Sequence, residues 1–267
     1  MKIMTNAEYH AEPCISKSGL DLIARSPAHY RYAPSREPSR AMVIGSATHA
    51  AILEPAVFAA DYVVLHGIDD RRAAAWKQAV AARGSDEFVL TGSEGDRIAA
   101  MAESVRGNPD AMEVLSSPGV AESSFFTTDP VTGVQVKIRP DWLTDDGRCV
   151  DLKTSADASD EGFGRSVVNY RYFVQQAFYS DVYMWATGER LASFDFLVVE
   201  SDAPHCSTVI RLPDDAVEYG RQLYRRDLNL YAECLARDEW PGLPRERHML
   251  ALPGWFVSQI ENALEVV

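Results

Sequence analysis

Along the first 106 residues, apolar side chains recur every three to four positions in four stretches, which predicts helices over 16–32, 40–53, 71–83 and 93–106. In the first, Leu20, Ile23 and Ala24 form the apolar face, and Ser18 with Asp21 reads as a capping pair. Glu54-Pro55 closes the second, because proline has no backbone N–H to extend a helix. A short strand is predicted over 62–65. In the middle of the chain the period shortens to two, predicting strands over 123–128, 134–139 and 148–153. Asp129-Pro130-Val131-Thr132-Gly133 supplies a first turn and Thr144-Asp145-Asp146-Gly147 a second, so an antiparallel meander is expected. A helix over 170–185 stopped by Gly188, strands over 193–199 and 208–212, and a long helix over 214–237 complete the pattern. This order predicts a mixed α/β fold, a central sheet flanked by helices. It is expected to form one domain over 1–267: a helical part to about 120, the sheet and its helices to about 240, and a tail over 241–267.

Composition supports a folded globular chain: 46% apolar and 24% charged residues over 267 positions suffice for a sizeable core. No apolar run approaches the ~20 residues of a membrane span, and the N-terminus has no leader-like segment, so a cytoplasmic protein is expected. Cys14, Cys149, Cys206 and Cys234 form no CxxC pair, which argues against a zinc ribbon or an iron–sulfur cluster. No GxxxxGK[ST] loop is present, so no ATP-driven motor is expected. The net charge of −13 gives no help to a nucleic-acid partner, since phosphate contacts need local cations.

The chemistry concentrates in Arg139-Pro140-Asp141, followed after nine residues by Asp151-Leu152-Lys153. Alternate strand residues share a face, so Asp151 and Lys153 point together while Val150 and Leu152 enter the core. Asp141 closes the preceding strand, and the turn brings it back beside Asp151. Two adjacent carboxylates repel unless a cation intervenes, and hard oxygen ligands suit magnesium or manganese. The competing reading is turn chemistry with a surface ion pair.

Three neighbours bear on that choice. Gly45-Ser46-Ala47-Thr48-His49 sets one histidine in a small-residue helix, either a core residue or a ligand. Glu122 opens the first strand of the meander, as a site acid or as a solvated strand end. Tyr172, Gln175, Tyr179 and Tyr183 recur at helical spacing, a core stripe in which a buried glutamine requires partners.

Together these segments resemble the RecB-like nucleases of the PD-(D/E)XK superfamily, and within them the exonuclease domain of the exodeoxyribonuclease VIII (RecE) type. Asn6-Ala7-Glu8-Tyr9-His10, Ile15-Ser16-Lys17-Ser18, Leu53-Glu54-Pro55, Ala121-Glu122-Ser123-Ser124, Val174-Gln175 with Ala177-Phe178-Tyr179-Ser180-Asp181, and Asp238-Glu239-Trp240-Pro241 carry it, beside the segments already quoted. The resemblance implies that Asp141, Asp151 and the Leu152 carbonyl hold metal, that His49 is a ligand or outer-shell group at a second metal, and that Lys153 is the catalytic lysine. It implies that Gln175 and Tyr179 orient the site, that Glu122 lines it, and that Ser18 contacts a 5′ phosphate; Ser18 is equally explained as a helix cap. Thr154 joins the DNA-binding candidates. Lys137, Arg139, Arg71 and Arg72 are candidates for a DNA path, or else a solvated face.

The implied activity is 5′→3′ digestion of duplex DNA, leaving 3′ single strands for phage-type recombination. It implies Mg2+, with Mn2+ as substitute, in a two-metal site, a ring-shaped homo-oligomer favouring a tetramer, and a RecT-like partner that anneals single strands. A nuclease of other polarity or acting on single-stranded or flap DNA, a non-catalytic DNA-binding module, and an unrelated metal-dependent hydrolase are the rivals.

Overall fold

Thr5 and Glu8 start the first helix, α1 (Asn6–Ala11), with a reciprocal capping box, the Thr5 N–H donating to Glu8 Oε2 at 2.8 Å. The computed structural model describes residues 1–34, 37–247 and 249–265. The helix expected over 16–32 is two helices, α2 (Lys17–Arg25) and α3 (Pro27–Arg31). Pro27 forces Ser26 into extended backbone, and the Ser26 hydroxyl then caps α3 through the His29 N–H. The expected Ser18–Asp21 capping pair does not form: Asp21 is paired with Lys17 at 2.7 Å and Arg171 at 3.0 Å. Helix α4 (Arg40–Leu53) has its predicted limits, and Pro55 opens a further helix, α5 (Pro55–Asp61).

Strand β1 (Val63–Leu65) precedes α6 (Ala74–Arg83) and pairs in parallel with β2 (Val89–Thr91), which the sequence pattern did not suggest. Thr91 and Glu94 cap α7 (Gly92–Arg106), and Asn108-Pro109 opens the short α8 (Pro109–Leu115). The strands β3 (Gly119–Ala121), β4 (Phe125–Thr128), β5 (Gln135–Ile138), β6 (Trp142–Thr144) and β7 (Arg148–Ser155) follow. After them come α9 (Asp160–Asn169), α10 (Tyr172–Thr187), β8 (Ser193–Glu200), β9 (Ser207–Ile210), α11 (Asp214–Arg237) and α12 (Gly254–Glu265). Helix α12 lies where only a tail was expected. No described helix is long and apolar enough to cross a membrane.

The meander is rearranged. Strands β4 and β5 form their own two-stranded sheet, and the central sheet runs β3-β6-β7-β8-β9. Within it only β7 and β8 are parallel. The partner of β7 across the Thr144–Gly147 turn is thus β6, the three residues after Asp141. Asp141 therefore precedes a strand instead of closing one.

Strand alternation covers both faces of the central sheet. Cys149, Phe194, Phe196 and Val198 pack with Leu20, Phe163, Phe178 and Tyr224 of the helices on one side. Val150, Leu152, Leu197 and Val199 pack with Val43, Ala47, Ile98 and Met101 on the other. The site lies where these layers meet the margin of β6 and β7.

Candidate active site and metal centre

Strand β6 pairs with β7 only as far as Trp142 opposite Val150. Two residues later the Leu152 N–H extends past the end of that ladder, and Asp141 supplies its acceptor: Oδ2 receives it at 2.8 Å. Asp151, 2% exposed, sits between two partners: an ion pair with the Lys153 ammonium and a hydrogen bond from the Gln175 amide of α10. The expected strand parity of Asp151 and Lys153 holds, and the buried glutamine of the tyrosine stripe has its partner. Lys153 Nζ also lies 4.7 Å from the centre of the Tyr172 ring.

His49 projects from α4, its Nδ1 3.5 Å from Asp141 Oδ2. Glu122 follows β3 with left-handed backbone, φ 50°, and its N–H donates to the Asp141 carbonyl at 3.1 Å, extending the β3–β6 pairing. Glu122 is thus on the central sheet as expected, while the strand it was expected to open, β4, is not. One ligand atom from each of His49, Glu122 and Asp141 lies within 4.8 Å of the others. Arg139 holds Glu122 in place, Nε to Oε2 at 2.7 Å. It is itself fixed by Asn6 Oδ1 at 2.7 Å and by the Tyr9 ring, whose centre is 4.5 Å away.

The electrostatics are those of crowded carboxylates. Burial, reinforced by Asp141, pushes Glu122 up to about 8 against the opposing charge of Arg139. Burial also raises Asp151, with Asp141 adding to the effect and Lys153 opposing it. For Lys153, burial works against the charge, yet Asp151 and Asp141 outweigh it and hold the ammonium above its ordinary value. Asp151 Oδ2 is sealed from solvent and has no hydrogen-bond partner beside that ion pair. A nitrogen and two carboxylates in ligand reach, one of them keeping its proton mainly because it is buried, together fit a divalent cation. Asp151 is not one of the three converging groups: its oxygens are turned to Lys153 and Gln175.

The remaining sequence candidates divide. Tyr179 is half-buried on α10, its ring edge-on to Phe194 and its hydroxyl raised well above the ordinary value by burial. Thr154 is half-buried on β7 facing Gly45, and Ser18 is exposed in the first turn of α2, its hydroxyl 2.9 Å from that of Ser16. Lys137 is not on a DNA path. It is 4% exposed and donates to the carbonyls of Tyr9 and Glu12 at 2.6 and 2.8 Å, tying the N-terminal segment to β5. Arg139 is committed to Glu122. Arg71 is bound to Glu94 at 2.5 Å and Arg72 to Asp70 at 3.0 Å, so neither stands as a free cation. Sequence reasoning missed Arg139 as the clamp on Glu122. Its one signal was adjacency to Pro140-Asp141, because strand parity suggested a different use.

Residues 16–247 match the family model described as a PDDEXK-like domain of unknown function (DUF3799). Among solved structures, the chain resembles a candidate exonuclease from Eubacterium rectale with a TM-score of 0.62 at 15% identity, over 97% of this chain and 98% of that one. An alkaline exonuclease from Laribacter hongkongensis aligns over 72% of this chain and 97% of its own at 15% identity, but with a TM-score of 0.26 that supports no argument. No curated protein matches. The mixed sheet, the margin that gathers Asp141, Asp151 and Lys153, and the match over most of the sequence agree: the chain belongs to the PDDEXK-like family.

Proposed function

We propose that the protein is a magnesium-dependent exodeoxyribonuclease that digests duplex DNA from 5′ ends and leaves 3′ single strands. The observation that carries the hydrolytic reading is the convergence of His49, Glu122 and Asp141 beside the buried Asp151–Lys153 pair. A surface ion pair would not need a buried aspartate, a glutamine bracing it and a clamped neighbouring glutamate.

In this reading His49, Glu122 and Asp141 would hold the cation, with Asp151 beside them on Lys153 and Gln175. A bound divalent ion polarises a phosphodiester and lowers the pKa of water. The protein's own contribution is positional. Lys153 presents a fixed ammonium where negative charge builds on the phosphoryl oxygens, in a site whose low polarity strengthens it. Gln175 keeps Asp151 oriented. Arg139 keeps Glu122 in reach and moderates its proton affinity. Asp141 is fixed to the backbone of β7 through the Leu152 N–H, so a cation held by Asp141 would sit at a set position relative to Lys153.

Polarity, a ring-shaped homo-oligomer with tetramer favoured, Mn2+ as substitute, a second metal, and a RecT-like annealing partner in recombination all rest on the resemblance to the RecE-type exonucleases. Ser18 at the start of α2 is the candidate for the 5′ phosphate and Thr154 for the strand backbone. Linear duplexes labelled at one end, with 5′-phosphorylated or blocked termini, test the proposal. Loss of 5′ label first, in magnesium only and faster from phosphorylated ends, is expected. Loss of 3′ label first would overturn the polarity, and no loss of label would overturn the nuclease reading.

A further inference from the structure

Beyond Lys153, strand β7 runs into a cleft of about 240 Å³ bordered by Thr154, Ser155, Asp157, Arg165, Tyr170 and Tyr172. That volume is below the roughly 300–1,000 Å³ of pockets for whole ligands, and suits a single ring system. Its aromatic wall is ordered. Phe163, Tyr172 and Tyr170 form a continuous stack, with ring centres 5.7 and 5.6 Å apart and planes inclined by 26° at each step. Phe163 is buried and Tyr172 half-buried, whereas Tyr170 at the end of the stack is 61% exposed.

Tyr170 is held there by its surroundings. Arg171, the next residue, adopts left-handed backbone, φ 55°, and its guanidinium is locked between Asp21 at 3.0 Å and Asp227 at 2.5 Å. The Tyr170 carbonyl accepts from Lys17 Nζ at 2.5 Å, and its N–H donates to the Ser166 carbonyl at 2.9 Å. Here the backbone is fixed on both sides and the ring lies against a second ring that faces the Lys153 ammonium.

We infer that Tyr170 is the stacking platform for an unpaired nucleobase of the strand entering the catalytic centre, the adjoining cleft receiving that base. The inference rests on the nuclease reading and adds the substrate feature it recognises: a frayed or single-stranded nucleotide next to the scissile phosphate. Stacking tolerates any base, as digestion without sequence preference requires, and contributes affinity without a basic surface, which this acidic chain lacks overall.

The test uses DNA carrying 2-aminopurine in an unpaired terminal nucleotide, with calcium in place of magnesium so that binding is read apart from cleavage. Anisotropy of a second dye reports total binding. For the unaltered protein and Tyr170→Phe, 2-aminopurine fluorescence is expected to be quenched on binding. Tyr170→Ala should bind the unpaired end roughly tenfold more weakly and lose the quench. Thermal melting of the exposed-site variants verifies that each is folded. Binding and cutting by the unaltered protein, with undiminished quench and affinity in folded Tyr170→Ala, would overturn the stacking inference alone. Failure of the unaltered protein to bind or cut DNA would overturn the nuclease reading and the inference with it.

Discussion

Asp141 accepts the backbone N–H of Leu152 at 2.8 Å while its carboxylate faces His49 and Glu122. One side chain therefore both closes the end of the β6–β7 ladder and belongs to the candidate cation site. The two roles are separable. Asp141→Asn keeps an oxygen for the Leu152 N–H and removes the charge. It is expected to fold with stability within about 1 kcal/mol of the parent, yet to lose roughly 10²–10³-fold in turnover. Asp141→Ala should lose activity and a further ~1–3 kcal/mol, since a buried donor is left without an acceptor. Urea unfolding beside single-turnover cleavage distinguishes the two.

In the proposed reading Glu122 sets the pH at which the candidate cation site fills. With its carboxyl pushed up to about 8, the ion-free protein carries a proton there below that pH, and a cation must displace it. Affinity for Mn2+ is expected to climb with pH and flatten above about 8, with proton uptake by buffer visible in calorimetry. Arg139→Gln removes the charge that opposes the shift, so the plateau should move to higher pH. Glu122→Gln should abolish the proton release.

Most of the chemistry was legible because it is local. Asp151 and Lys153 share parity on one strand, and Asp141 is one turn away, so their meeting follows from the period of two and the Asp-Gly turn. What escaped depended on tertiary contacts. Lys137 and Arg139 look like a solvated stripe until Tyr9, Glu12 and Asn6 fold over them. The hairpin of β4 and β5 has an ordinary turn, but β3 and β6, three residues each, take the edge of the five-stranded sheet and the place between that edge and β7. Strands that short leave no periodic signature. The helix expected over 16–32 breaks at Pro27, which disfavours helical backbone at Ser26.

A second network contributes to stability in acid. Burial would raise the Glu94 carboxyl, but hydrogen bonds from Arg40, the Thr91 N–H and Arg71 prevail and hold it at about 2. Because the folded value lies below the unfolded one, its stabilisation is complete above about pH 4.5 and is lost as pH falls toward 2. The shift corresponds to roughly 3 kcal/mol. Glu94→Gln should lower stability at neutral pH by that order and flatten the acid limb of the stability curve.

Helix α11 crosses α10 at Gly220 with no room to spare: a Cβ there would lie 2.2 Å from the Phe173 carbonyl oxygen and 3.0 Å from the Val174 nitrogen. Gly220→Ala is expected to cost about 1–3 kcal/mol and to displace the turn that carries Gln175, lowering turnover as well. Gly164→Ala, on α9 with open space around it, should be neutral or stabilising by about 0.5–1 kcal/mol. Denaturant midpoints and cleavage rates for the pair check both statements.

The most direct measurement is magnesium-dependent loss of a linear duplex, followed for the parent, Asp151→Ala and Lys153→Ala at matched folded concentration. Complete digestion by the parent in magnesium, none in chelator, and loss of nearly all turnover in both variants is the predicted result. Digestion that survives in either variant, or no digestion by the parent with any divalent ion, would contradict the account.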